Sequence, residues 1–170
     1  MTQKRMWMLA LGSSLALAQV PVAPGRAQAP VAPGRVQSIR ELHPNLVYGQ
    51  FLGRGILYTL NFEHYFSSRI GAGVGLMAIG SSDATFTLIP VFLSLNPVGD
   101  INSLYLSPGA VFVLAGSPSR GDFTSGVFGA AEIGYQHQSP SGFLFRPGLD
   151  ILFGGGGFLV WPALSIGLSF

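Results

Sequence analysis

The run "ALSIGLSF" at the end of the chain sets Leu164, Ile166, Leu168 and Phe170 on one side of an extended backbone and Ser165, Gly167 and Ser169 on the other. Alternation with a period of two marks a strand whose two faces meet different surroundings. The pattern recurs from Asn45 onward in eight segments, near Leu46–Leu52, Ile56–Phe66, Ile70–Ile79, Thr85–Asn96, Ser103–Ala115, Val127–His137, Phe143–Phe153 and Pro162–Phe170. The separators "GRG", "SSR", "GSSDA", "PVGDI", "GSPSRGDFTSG", "QSPSG" and "GGGGFLVW" are rich in chain-breaking residues. Most segments have the ~9–11 residues that a tilted membrane strand requires. The first is shorter, and merging it with the second would leave an odd count of seven, whereas single-chain bacterial barrels have even numbers.

When the bulky apolar residues point outward, the polar ones turn inward. Tyr58, Leu60 and Phe62 go out while Thr59, Asn61 and Glu63 go in; Ile133 and Tyr135 go out while Glu132, Gly134 and Gln136 go in. In the seventh segment Phe143, Phe145, Leu149 and Ile151 face out, leaving Arg146 and Asp150 inside. Glu63, Glu132, Arg146 and Asp150 are the charged residues well within the segments, and all four take the inward register. A basic group facing hydrocarbon at the bilayer midplane costs ~2–4 kcal/mol, and a lumen does not impose that cost. The expected fold is therefore all-β: an eight-stranded, antiparallel, up-and-down β-barrel of the outer-membrane type, closed so that no strand edge is left unpaired.

Composition agrees with this reading. Charged residues make up 9% of the chain, against about 25% in ordinary soluble domains. Hydrophobic residues reach 48%, yet beyond the N-terminus no run of about 18 apolar residues offers a membrane helix. The N-terminus reads as a signal peptide over residues 1–18: Lys4 and Arg5, the apolar core "MWMLALGSSLALA", and the small-x-small site Ala16-Leu17-Ala18 before Gln19. Residues 19–45 carry "VAPGR" twice in a Pro- and Ala-rich stretch and are expected to form a disordered periplasmic linker. The barrel then occupies 46–170. Of nine basic residues, Lys4 and Arg5 lie in the signal, so seven face seven acids in the remainder. That balance leaves no basic stripe for nucleic acid.

Three stretches of this chain resemble a known family. "GRGILYTLNFEHYF" is similar to a G-x-G-x-x-Y-S-L-N-Y-E-R signature of small bacterial outer-membrane barrel proteins, with Thr59, Phe62 and His64 in place of its Ser, Tyr and Arg. "GFLFRPGLDILF" and "WPALSIGLSF" resemble that family's seventh and eighth strands, and the likeness covers residues 46–170. The resemblance implies an outer-membrane location and an eight-stranded fold, and it brings no agreed activity. The terminal Phe170 resembles the signal by which the barrel-assembly machinery recognises its substrates. Outer-membrane lipids and that machinery are the expected partners.

The inward charges are the candidate site. Glu63 precedes the "SSR" turn by four residues, Arg146 follows "QSPSG" closely, and Glu132 precedes it by about six. At ~3.3 Å per residue these fall at similar heights, so Arg146 is expected to lie between Glu63 and Glu132. An eight-stranded barrel is just wide enough to be filled by side chains, so the cluster is expected to plug the lumen. The alternative is a polar constriction in a narrow channel for small or apolar solutes, to which the inward glycines Gly71, Gly73, Gly75, Gly109, Gly134, Gly148 and Gly167 would contribute space. A soluble ligand-binding barrel would need the reverse register.

Other motifs carry less. "GAGVGL" lies within a strand, without the helix N-terminus that phosphate binding uses. His64 and His137 fall on the outward register beside short turns, and His43 lies in the linker, so no nucleophile–histidine–acid set forms. Arg120-Gly121-Asp122, an adhesion tripeptide, falls in the longest loop. Without Cys, neither a disulfide nor a thiolate metal site arises. The expectation is a non-enzymatic barrel without cofactor or metal, in a structural or interaction role.

Overall fold

A computed structural model describes residues 37–81, 83–117 and 121–170. The expected signal peptide, most of the expected linker and Arg120 lie outside the described residues. The chain runs through a short helix α1 (Ile39–Leu42) and eight strands: β1 (Asn45–Leu52), β2 (Tyr58–Tyr65), β3 (Ile70–Gly80), β4 (Thr85–Leu95), β5 (Asn102–Ser117), β6 (Asp122–Gln138), β7 (Phe143–Gly154) and β8 (Gly157–Ser169). Each strand pairs antiparallel with the next, and β1 pairs with β8 to close the barrel. The seam continues to the last residue: the Asn45 N–H donates to the Phe170 carbonyl at 3.0 Å, and the Phe170 N–H donates back at 2.9 Å. β1 stands apart from β2, so the count is eight.

The two faces follow the alternation. Leu60, Phe62, Val74, Val91, Leu149, Ile166 and Leu168 are exposed on the outer wall. Exposed aromatics gather at both rims, with Phe66, Tyr135, Phe143 and Phe170 at the end where β1 begins and β8 finishes, here the terminal end, and Phe51, Tyr58, Phe153 and Phe158 at the distal end. In a membrane barrel this arrangement forms an apolar band between two aromatic girdles. Trp161 is not part of these outward rims. It pairs with Asp150 and shares that residue's inward face, and its indole N–H donates to the Ile56 carbonyl at 3.3 Å.

Two hairpins are tighter than their sequences suggest. β5 and β6 remain paired out to Ser117 and Asp122, so the expected eleven-residue loop is mostly strand and Asp122 of the adhesion tripeptide is a ladder residue. β7 and β8 remain paired out to Gly154 and Gly157. Gly155 and Gly156, at φ of 59° and 89°, form the two-residue turn between them; two consecutive positive φ values give the twist that matches the flanking strands. The four glycines that read as a loop therefore let β8 begin five residues earlier than Pro162.

The segment before β1 also departs from a disordered linker. Ser38 and Glu41 form a reciprocal capping box on α1, and Asp100, beside the β4–β5 turn, accepts from Ser38 Oγ at 2.7 Å and from the Ile39 N–H at 3.0 Å. One turn of helix is too short to persist alone, so these caps and the burial of Ile39 and Arg40 define it.

Candidate functional site

The inner wall of β5 orders the interior. Its inward positions Ser103, Tyr105 and Ser107 succeed one another at ~6.6 Å, two residues of strand rise. Each meets a different arginine: Arg40 donates to Ser103 Oγ, the Arg146 guanidinium lies 3.7 Å from the Tyr105 ring centroid, and Arg54 donates to Ser107 Oγ at 3.0 Å. Three guanidinium groups thus succeed one another along the barrel from the terminal end. Further on, the lining turns apolar, with Met77, Leu88, Val111, Ala130 and Leu152 buried together.

Arg146 occupies the middle of the column. Its Nη1 donates to Glu63 Oε2 at 3.1 Å, and its Nη2 donates to Gln136 Oε1 at 2.7 Å. The Tyr48 ring centroid lies 5.0 Å away on a second side, and the Tyr48 hydroxyl donates to the same Glu63 oxygen at 3.1 Å. Arg146 and Glu63 have no solvent exposure. Stacking on aromatic faces and charge-assisted hydrogen bonds together offset the desolvation of such a pair.

Arg54 holds the next level. It belongs to a single 3₁₀ turn, Gly53–Gly55, between β1 and β2. Its Nη2 reaches Glu132 Oε2 at 2.7 Å, its Nε lies 3.9 Å from Asp150 Oδ1, and its guanidinium covers the Phe92 ring at 4.2 Å. Gln50 Nε2 also donates to Glu132, at 2.9 Å. The backbone pays for this position. Leu52 and Ile56 have φ of 59° and 65°, a region that costs side-chain-bearing residues ~1–3 kcal/mol each. Gly53 also has positive φ, and a Cβ there would lie 2.7 Å from Asp150 Oδ2. The G-x-G spacing therefore turns the residue between the glycines into the barrel.

The geometry corrects the expected network. Arg146 pairs with Glu63, whereas Glu132 is held by Arg54 and Gln50. Glu132 stands directly opposite Asp150 in the β6–β7 ladder, so two carboxylates share the Arg54 guanidinium. All four sequence-identified residues are buried. Arg54 and Arg40 escaped the sequence reading because one lies in a connection and the other before the first strand. The signal for Arg54 was the pair of glycines around a charge within a short separator.

Arg40 is buried at the end of the barrel where Asn45 pairs with Phe170. It donates to the Ser68 carbonyl at 3.2 Å and the Asp100 carbonyl at 2.8 Å, and its guanidinium lies 5.6 Å from the Tyr65 ring centroid. Burial lowers its pKa from the ordinary guanidinium value, against the opposing influence of Tyr65 and Asp100. Hydrogen bonds to charged groups contribute ~1.5–3 kcal/mol, so Arg40→Ala should raise opening of this segment about ten- to a hundredfold while the barrel stays closed. Chymotryptic cleavage after Leu42 should accelerate by that factor, and an unchanged cleavage rate would show that the contacts do not restrain the segment.

At Gly73 a ring already occupies the space next to the glycine. A Cβ at Gly73 would run into the Phe92 ring, the same ring that supports Arg54. Among the described residues no group of three His, Cys, Asp or Glu side chains is arranged to hold a metal ion.

No family model matches this chain, and no curated protein matches its sequence. Solved structures do. The N-terminal β-barrel domain of Pseudomonas aeruginosa OprF is similar with a TM-score of 0.53 and 12% sequence identity, covering 74% of this chain and 95% of that one. The attachment invasion locus protein Ail of Yersinia pestis is similar with a TM-score of 0.45 and 17% identity, over 75% of this chain and 97% of that one. At such identity the OprF likeness concerns the fold, which is that of the small eight-stranded outer-membrane β-barrels.

Proposed function

We propose that this chain is an integral barrel of the bacterial outer membrane with a sealed lumen, serving a structural or interaction role and neither a conduit nor an enzyme. The observation that carries this reading is the arginine column. Three guanidinium groups at successive levels each meet acids or backbone carbonyls and an aromatic ring. An eight-stranded barrel has an interior just wide enough for side chains, and cross-linked side chains at three heights leave no continuous aqueous path. Catalysis finds no support in the carboxylates: Glu132 and Asp150 are buried against Arg54.

The outer wall supports the membrane assignment, with Val74, Ile133, Leu149 and Ile166 exposed within β3, β6, β7 and β8. Outer-membrane lipids are its partners along that wall, and β8, carried to Phe170 by the Asn45 pairing, is the strand offered to the barrel-assembly machinery. Planar-bilayer recording tests the sealed lumen. The intact protein should give no discrete ion-passing steps. Removing two levels of the column together, Arg54→Ser with Arg146→Ser, should produce steps if the barrel still folds. Regular steps from the unmodified protein would overturn the reading in favour of a narrow channel.

A further inference from the structure

The distal rim contains a feature that the arginine column does not use. A cleft of about 390 Å³ opens where the β7–β8 hairpin meets the β1–β2 turn. Ile56, Phe128, Leu152 and Leu159 line its inner side, and Phe153 and Phe158 line its outer side. Phe153 and Phe158 are cross-strand partners on the outer wall, whereas Leu152 and Leu159 are partners on the inner wall. The cleft therefore joins the exposed apolar band to the buried apolar cluster formed by Met77, Leu88, Val111, Ala130 and Leu152. Its lining contains no polar side chain.

One wall is fixed in advance. Ile56 is a β-branched residue at φ 65°, a conformation that persists only where its surroundings over-determine it. The Ile56 N–H donates to the Gly53 carbonyl at 3.0 Å, and its own carbonyl accepts from the Trp161 indole. The Trp161 bond and the Arg54 anchor thus hold the Ile56 side chain at the cleft. Gly157 borders the opening, and a Cβ there would point into open space, with no atom within 4 Å.

We propose that this cleft binds one acyl chain of a membrane lipid, drawn from the leaflet at the distal rim. The proposal rests on the membrane reading above. The lining supplies only apolar contact, so it selects an aliphatic chain and leaves the polar head outside. Its volume falls within the ~300–1,000 Å³ of ordinary small-ligand sites. The outer wall of the cleft is continuous with the lipid-facing surface, so the occupant enters sideways without crossing water.

Trp161, bonded to one wall and two residues from Leu159, reports on occupancy. The full chain carrying Trp7→Phe, which leaves Trp161 as the single tryptophan, is refolded into phosphatidylcholine vesicles and titrated with brominated stearate. Quenching should saturate at one chain per barrel, and Gly157→Phe, which fills the opening, should abolish the saturable phase. Leu159→Asn, which leaves the volume but adds an amide to the lining, should weaken it about tenfold, and it serves equally if Gly157→Phe fails to fold. Quenching that rises linearly with bromide content and is identical in all variants would overturn the proposal, because Trp161 would then sense only bulk lipid. Vesicle insertion is scored separately by heat-dependent gel mobility. A chain that does not insert removes the membrane reading, and the same titration in detergent still decides the cleft.

Discussion

Arg146→Met is expected to destabilise the folded barrel by about 3–5 kcal/mol, the cost of leaving one partner of a buried ion pair uncompensated. Methionine keeps part of the stem but neither the charge nor the guanidinium that lies over the Tyr48 and Tyr105 rings, so the single variant loses the ion pair and the stacking together. Glu63 would then stay buried without a cation, with the Tyr48 hydroxyl still donating to it. The partner variant Glu63→Gln should be less harmful alone, because Arg146 keeps Gln136 at 2.7 Å and both rings. Combining the two should recover most of the stability, since replacing a buried pair with neutral groups of similar volume is often near neutral. Urea unfolding in vesicles, followed by tryptophan emission, measures all three. A double variant as unstable as Arg146→Met would show that the stacking, and not the ion pair, dominates at this level.

The Glu132–Asp150–Arg54 level differs in kind. Asp150 is buried, and the closest guanidinium atom to it is Arg54 Nε at 3.9 Å. A carboxylate with so little compensation contributes less than Glu63 does. The interior therefore concentrates its polar stabilisation at Arg146, where rings, amide and acid converge.

How far the sequence discloses this interior depends on where each group sits. Glu63, Glu132, Arg146 and Asp150 lie in strands, where a period of two fixes which wall a side chain joins; a one-residue slip would place each of them in hydrocarbon. Their burial was thus legible from alternation alone. Their pairing was not. Counting residues from a turn gives height but ignores the stagger that barrel closure imposes between strands, and that stagger brings Glu132 to Asp150 and Arg54 instead of Arg146. Arg54 and Arg40 follow no period, because a turn and a capped helical segment carry them inward. Leu52 and Ile56 at positive φ defeat a propensity reading, since both residue types ordinarily avoid that region. The G-x-G of Gly53–Gly55 marks the place where the chain bends into the barrel.

The inside-out arrangement makes its second large prediction on the opposite wall. Leu149 is 49% exposed in the middle of β7, opposite Ile133 on β6 and Pro162 on β8, which are also apolar. In water an arginine there would be close to neutral, for surface changes away from special features are usually within ±0.5 kcal/mol. In a bilayer the same Leu149→Arg should cost about 2–4 kcal/mol, because the midplane offers no water to its charge. Leu168→Arg, 63% exposed but beside the aromatic rim that includes Phe143 and Phe170, should cost only about 0–1 kcal/mol, since its long stem lets the head reach the interface. Unfolding of both variants in vesicles and in detergent micelles tests the difference. A depth-dependent penalty in vesicles marks a hydrocarbon-facing wall. Equal and negligible penalties at Leu149 and Leu168 would mean that the exposed apolar band meets water, and would remove the membrane reading on which the sealed lumen and the acyl cleft both depend.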